Sequence, residues 1–304
     1  MHVHFIVNPK AKNGLSKKIW NEVKTKLTGL NYQVHFTEFP KHATQIAEQI
    51  GCTATKETIL IVVGGDGTMN EVINGAIPFP LIRIAYIPAG SGNDFARGFH
   101  LPATPQESTE RILTVLGQSG TYYDAGYFQN KDTPHGYFVN SIGAGFDAQI
   151  SLSANRSIIK KWLNKASMGN MVYAFYLIKE LFTYKPGLCE ISIDGEKYQF
   201  TKTWFITISN HPYYGGGMKI SPTADPGDGK LNITVVDRLS KLKLLAVFIS
   251  VFWGGHTRFK EVKTFQGEKI DIDFKGLIPV HADGEYIGST PVHIEVKPKS
   301  WIIL

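Results

Sequence analysis

The chain has 304 residues, enough for two domains with separate cores. Its 43% hydrophobic and 19% charged residues give the balance of a soluble globular protein and exclude a disordered or fibrous one. Two distant cysteines, Cys52 and Cys189, exclude a disulfide framework and zinc-ligand spacing, so a cytoplasmic location is the default expectation.

The net charge of +6 is uneven: residues 1–124 carry 11 Lys/Arg against 10 Asp/Glu, and residues 125–304 carry 21 against 16. A basic second part suits an anionic partner such as a membrane surface, although solvated lysines would give the same count. Basic stretches interleaved with aromatics are not evident, so nucleic acid is not an expected partner. The opening run is strand-like, so no signal peptide is expected. The longest apolar run, 244–253, is shorter than the roughly 20 residues a spanning helix needs.

Val3–Val7 reads as a strand and Ser16–Leu27 as an amphipathic helix with Ser16 as its N-cap. The loop between them runs Asn8-Pro9-Lys10-Ala11-Lys12-Asn13-Gly14. Pro9 stops the strand, and Lys10 and Lys12 could reach phosphates, but the stretch alone reads equally as a plain connection. Tyr32–Phe39 alternates as a strand, and Ala43–Ile50 has helical spacing.

Thr58–Val63 is a short β-branched run that ends abruptly in Gly64-Gly65-Asp66-Gly67-Thr68. Glycines at a strand end let backbone N–H groups approach an anion. Asp66 puts a carboxylate among them, where a divalent cation could sit beside phosphates. The helix expected over 68–75 adds the positive end of its dipole. Arg83–Ile87, the next strand, leads into Pro88-Ala89-Gly90-Ser91-Gly92-Asn93-Asp94, built the same way. Ser91 and Asn93 can bond phosphate or ribose, and Asp94 can cap a helix or approach a metal. Two such loops on successive strands of a mostly parallel sheet would lie side by side at its carboxyl edge. A helix over Pro105–Leu116 completes this part.

After Asp124 strand-like runs follow one another: Gly136–Ile142, Cys189–Ile193, Lys197–Phe200, Trp204–Ser209, Leu231–Val236, Lys269–Phe274, Val280–Ala282 and Val292–Val296. Helices are expected near 157–182 and 240–253. The tail 298–304 is a further strand that could pack back on the first domain. The reading is therefore a domain at 1–124 and a β-rich domain at 125–297.

Gly64–Thr68 with Asn70 and Glu71 resembles the nucleotide-binding motif of the diacylglycerol kinase catalytic-domain family, which includes bacterial soluble lipid kinases and sphingosine and ceramide kinases. Asn8-Pro9 with Gly14 resembles its N-terminal loop, and Gly90–Asp94 its second glycine loop, with Ser91 where threonine is usual. Trp253-Gly-Gly-His256 and Asp283-Gly284-Glu285 continue the resemblance along nearly the whole chain. It implies a Rossmann-like α/β nucleotide domain, of the NAD kinase and phosphofructokinase kind, joined to a β-sandwich with ATP in the cleft between. It implies ATP contacts from Asn8, Pro9, Lys12, Gly64, Gly65, Asp66, Gly67, Thr68, Glu71, Gly90, Ser91, Gly92, Asn93 and Asp94.

Two Asp-Gly-Glu tripeptides occur, at 194–196 and 283–285, and turn chemistry explains both. The resemblance selects the second: Asp283 would be the general base, and Glu285 would assist it. In the turn-rich Asp225-Pro-Gly-Asp-Gly-Lys230, Asp225 and Asp228 with the Lys230 carbonyl could hold Mg²⁺, which the resemblance also implies; an exposed acidic turn is the alternative. The apolar stretch 158–182, with Arg156, Lys160, Lys161 and Lys165 at its start, would either meet anionic lipid or cap the β core.

The function that follows is transfer of the γ-phosphoryl group of ATP to a lipid hydroxyl at a membrane surface, diacylglycerol first among acceptors. Phosphatidylglycerol or a sphingosine-like lipid are alternatives, as are an NAD kinase-like soluble-substrate enzyme and a non-catalytic nucleotide-binding regulator. An exposed apolar face would favour a homodimer.

Overall fold

The computed structural model describes residues 2–133, 135–156, 176 and 178–304. The chain divides into two compact units, one of residues 1–125, 226–228 and 297–304 and one of 126–225 and 229–296. No helix among the described residues is long and apolar enough to cross a membrane.

In the first unit, strands β1 (His2–Val7), β2 (Gln33–Phe36), β3 (Thr58–Gly64) and β4 (Ile82–Pro88) form a parallel sheet in the order β2-β1-β3-β4. β3 is buried along its whole length, which explains its continuous, mostly β-branched apolar run. Helices α1 (Leu15–Val23), α2 (His42–Thr53), α3 (Asp66–Ala76), α4 (Asp94–Gly98) and α5 (Pro105–Val115) follow the strands in alternation. Ser16 is not the cap of α1. Gly14, left-handed at φ 88°, holds that position, and Ser16 lies buried in the first turn, its hydroxyl 3.4 Å from the Val63 carbonyl. Thr104 caps α5 by accepting from Glu107 N, with Pro105 at the first helical position. The C-terminal segment adds a further parallel neighbour to β4, Ile303 opposite Ile84.

The second unit is antiparallel. Its strands are the end of β5 (Thr121–Asn130), β6 (Gly136–Phe138), β7 (Ser141–Gly145), β8 (Gly187–Ile193), β9 (Glu196–Ser209), β10 (Leu231–Asp237), β11 (Val262–Gly267), β12 (Lys269–Phe274), β13 (Pro279–Ala282), β14 (Glu285–Ser289) and the start of β15 (Val292–Ile303). They pair in the order β14-β13-β7-β9-β8-β12-β15, and β10 joins β9 to β11. Alternating inward residues such as Ile191, Ile206, Ile208, Ile233 and Ile272 build its core. Helices α6 (Phe146–Arg156) and α7 (Lys241–Ser250) lie in this unit.

The runs 197–200 and 204–209 are one strand, β9, and the tail joins 292–296 in β15. The single strand expected over Gly136–Ile142 is instead two, β6 and β7, broken at Val139 and Asn140. Their N–H groups turn away from sheet pairing to a carboxylate described below. Strands β5, β11 and β14 and helix α6 were not expected. Of the helix expected near 157–182, residues 157–175 and 177 lie outside the described residues. The described end is helical over 178–183, with Leu181 buried.

Candidate active site

β3 and β4 end level with each other, Gly64 opposite Pro88, so the loops after them start at the same edge of the sheet. Gly65 and Gly90 meet backbone to backbone: a Cβ on Gly90 would fall 2.5 Å from the Gly65 Cα, and one on Gly65 would fall 3.1 Å from the Gly90 Cα. No other residue type permits that approach. Ala89 N donates to the Gly64 carbonyl at 2.7 Å, and the Tyr86 hydroxyl donates to it at 3.1 Å.

Asp66, at the start of α3, faces the other loop. Its carboxylate accepts from Phe95 N at 3.1 Å and approaches Asp94 N at 3.4 Å, capping α4. Burial raises its pKa, and these N–H donors oppose the rise. Asn93 stands left-handed at φ 54° before α4, and its buried Oδ1 has no hydrogen-bond partner among the described residues. Asp94 pairs with Arg97, Nη1 to Oδ1 at 2.5 Å. Ser91 is exposed and Gly92 partly buried beside them.

The loop after β1 joins the same edge. Asn8 Nδ2 donates to Thr68 Oγ1 at 3.0 Å, and Asn8 Oδ1 accepts from Lys10 N. Pro9 ends the strand, and Lys12, Asn13 and Gly14 are successively left-handed, with Lys12 exposed. Three loops thus converge, with the first turns of α3 and α4 among them. Backbone donors, an acceptor without a partner and a glycine-lined floor suit the phosphate end of a nucleotide.

Glu71 is placed differently. Its two oxygens accept from Lys41 N at 3.0 Å and Ala43 N at 3.1 Å, so it caps α2.

In the second unit Asp283 and Gly284 form the two-residue turn between β13 and β14, at φ 48° and 85°. The Asp283 carboxylate accepts from Val139 N, Asn140 N and Ser141 N, each at 2.9 Å. Glu285 is exposed at the start of β14. Buried His211 supports this cradle: its Nε2 lies 2.7 Å from Asn140 Oδ1, and its Nδ1 accepts from Tyr213 N.

The sequence reading missed a polar group beside this turn. His281 Nε2 is 3.4 Å from Asp147 Oδ2, which also accepts from Thr207 Oγ1 at 3.1 Å. His281, Gly143 and Thr207 are cross-strand neighbours on β13, β7 and β9. A Cβ on Gly143 would fall 2.4 Å from Asp147 Oδ2, so that glycine makes room for the pair. A glycine inside the run 141–145 was the available signal. Asp147 also borders an apolar cavity of about 50 Å³ lined by residues such as Phe146, Ile150, Phe205, Leu244, Val247 and Phe248. A wider groove of about 690 Å³, between Glu190, Lys197, Asp271 and His293, mixes charged and apolar side chains and contains none of the candidate site residues read from the sequence.

With this geometry in view, comparison with known proteins decides the family. Residues 2–121 match the model of the diacylglycerol kinase catalytic domain, and residues 140–304 match that of the YegS C-terminal NAD kinase beta sandwich-like domain. The chain belongs to the diacylglycerol kinase family and is a lipid kinase. Bacillus subtilis YtlR, a lipid kinase by name, is 33% identical over 303 residues, covering 98% of this chain and 97% of that protein. A protein named diacylglycerol kinase from Mycobacterium tuberculosis is 31% identical over 245 residues, covering 81% and 76%. A crystal structure from Bacillus anthracis str. Sterne superposes with a TM-score of 0.78 at 23% identity, covering 99% of this chain and 94% of that one, and shares the fold.

His256 is buried, and its Nε2 lies 2.9 Å from the Ile220 carbonyl; burial lowers its pKa. Its place is structural. Asp225, Asp228 and Lys230 stand exposed on the turns before β10. Two carboxylates and a carbonyl are hard oxygen donors, a set that fits Mg²⁺ completed by water. Among the described residues no group of three or more His, Cys, Asp and Glu gathers as a metal cluster.

Proposed function

We propose that the kinase transfers the γ-phosphoryl group of ATP to the hydroxyl of a membrane lipid, with diacylglycerol the first acceptor to test and phosphatidic acid its product. The observation that carries the ATP half is the backbone contact of Gly65 with Gly90, which brings the two glycine loops together at one edge of the sheet. In this reading the loops at Asn8–Lys12, Gly64–Thr68 and Gly90–Asp94 hold the phosphates. Asp225, Asp228 and the Lys230 carbonyl would hold Mg²⁺, which would supply positive charge to offset that of the phosphates.

Asp283 takes the acceptor proton as general base, and Glu285 assists it. Three N–H donors fix the Asp283 carboxylate so that it is already aimed when the acceptor arrives.

The test is γ-labelled ATP with dioctanoylglycerol, phosphatidylglycerol, a sphingosine-like base, NAD and fructose 6-phosphate in parallel. Label in phosphatidic acid supports the reading. Label in NAD or the sugar alone, or in no acceptor, refutes it.

A further inference from the structure

α7 and the turn after it are apolar on two opposite faces. One face, with Leu244, Val247 and Val251, is buried and walls the apolar cavity. The opposite face holds Leu242, Ile249, Phe252 and Trp253, exposed by 82, 60, 53 and 66%. Phe182 adds to it at 68%, with Lys241 Nζ 2.8 Å from the Phe182 carbonyl and over its ring. A helix apolar all round belongs in a core or against lipid, and this one has only half a core.

The charges around it select the partner. Residues 241–261 contain four lysines and arginines and one carboxylate, Glu261, which is already paired with Lys243. Exposed Arg258 and Lys260 follow Trp253 closely in the chain. In a two-fold dimer through this face the same cations would meet themselves. An anionic bilayer neutralises them instead, with the lysine stems lying along apolar surface and tryptophan at the polar boundary.

We infer that the exposed face of α7, from Leu242 to Trp253, is the surface by which the kinase lies on an anionic lipid bilayer. The cavity wall and the bilayer contact are then two faces of one helix. The inference deepens the lipid-kinase reading, and its binding test needs no turnover.

The experiment is co-sedimentation of the full chain with phosphatidylglycerol-containing vesicles and with pure phosphatidylcholine vesicles, for the wild type, Ile249→Asp/Trp253→Asp and Leu242→Ser. Melting temperature reports folding, and sedimentation velocity reports association. The wild type should bind the anionic vesicles with a strong salt dependence. The double variant should bind about tenfold or more weakly, since two large apolar anchors are lost. Leu242→Ser, the milder change, should weaken binding less and keeps the test decisive if the double variant misfolds. Undiminished vesicle binding by a folded variant overturns the inference, as does a wild-type dimer that the substitutions dissociate. Phosphorylation of dispersed dioctanoylglycerol separates the two ideas. Label transfer with unaltered variant binding refutes the surface alone, and vesicle binding without label in any lipid refutes the kinase reading alone.

Discussion

Asp194 and Asp283 occupy the same place in two copies of one device. Each is the left-handed first residue of an Asp-Gly turn, at φ 51° and 48°, and each carboxylate accepts backbone N–H groups from a distant segment. Asp194 takes Glu268 N and Lys269 N, whereas Asp283 takes three amides from the break between β6 and β7. The surroundings differ: Asp194 is exposed, and Asp283 stands two residues from His281, which faces Asp147.

Asp283→Asn should therefore lower turnover by about 10² to 10⁴ while ATP still binds, as loss of a general base does. Asp194→Asn should cost ~1 kcal/mol of stability and leave turnover within about threefold. Paired initial-rate and melting measurements decide it, and equal loss of activity in both variants would contradict the assignment.

Gly90→Ala places a methyl 2.5 Å from the Gly65 Cα, where only backbone can yield. The expected cost is about 1–3 kcal/mol of stability, as for overpacking, with ATP affinity falling by ~10-fold or more as the loops separate. Gly67→Ala is the control: nothing lies within 4 Å of its added methyl and its φ is not left-handed. Calorimetric ATP titration of the two variants reads the difference.

Glu71→Ala removes acceptors from Lys41 N and Ala43 N and should lower stability by about 0.5–2 kcal/mol, the usual cost of a lost cap. ATP affinity should stay within roughly threefold if capping is its whole task. A large affinity loss with unchanged melting would support Glu71 as a nucleotide contact.

Burial pushes the His211 pKa from 6.5 down to about 3. The unfolded chain then binds the extra proton between those values, so stability is complete above pH 6.5 and falls as pH drops toward 3, by up to about 1.4 kcal/mol per unit. In His211→Asn that slope should shrink by one proton's worth, whatever the variant's overall stability. Urea unfolding across this pH range measures it, and an unchanged slope would contradict the neutral, locked imidazole.

The glycine loops were legible because their information is local: β-branched runs end in glycine, and only glycine permits the approach of 65 to 90. The partners were not legible. Nothing near Gly136–Ile142 forbids one continuous strand; the break at Val139 is imposed by Asp283, far along the chain. Asp66 reads as a possible metal ligand beside phosphates, and the resemblance implies Glu71 as a nucleotide contact; each also caps a helix, a tertiary role no local pattern encodes. Asp147 carried a faint signal in the glycines before it, and His281 carried none apart from its neighbour Asp283.

Because Asp66 leaves one glycine loop to cap the helix that begins in the other, neither loop can shift without the other. A ligand settling on them meets a floor that is already rigid, so little of its binding free energy goes into restricting chain entropy. Association there should proceed in a single fast phase, without the slower step that follows when a flap must fold over its guest.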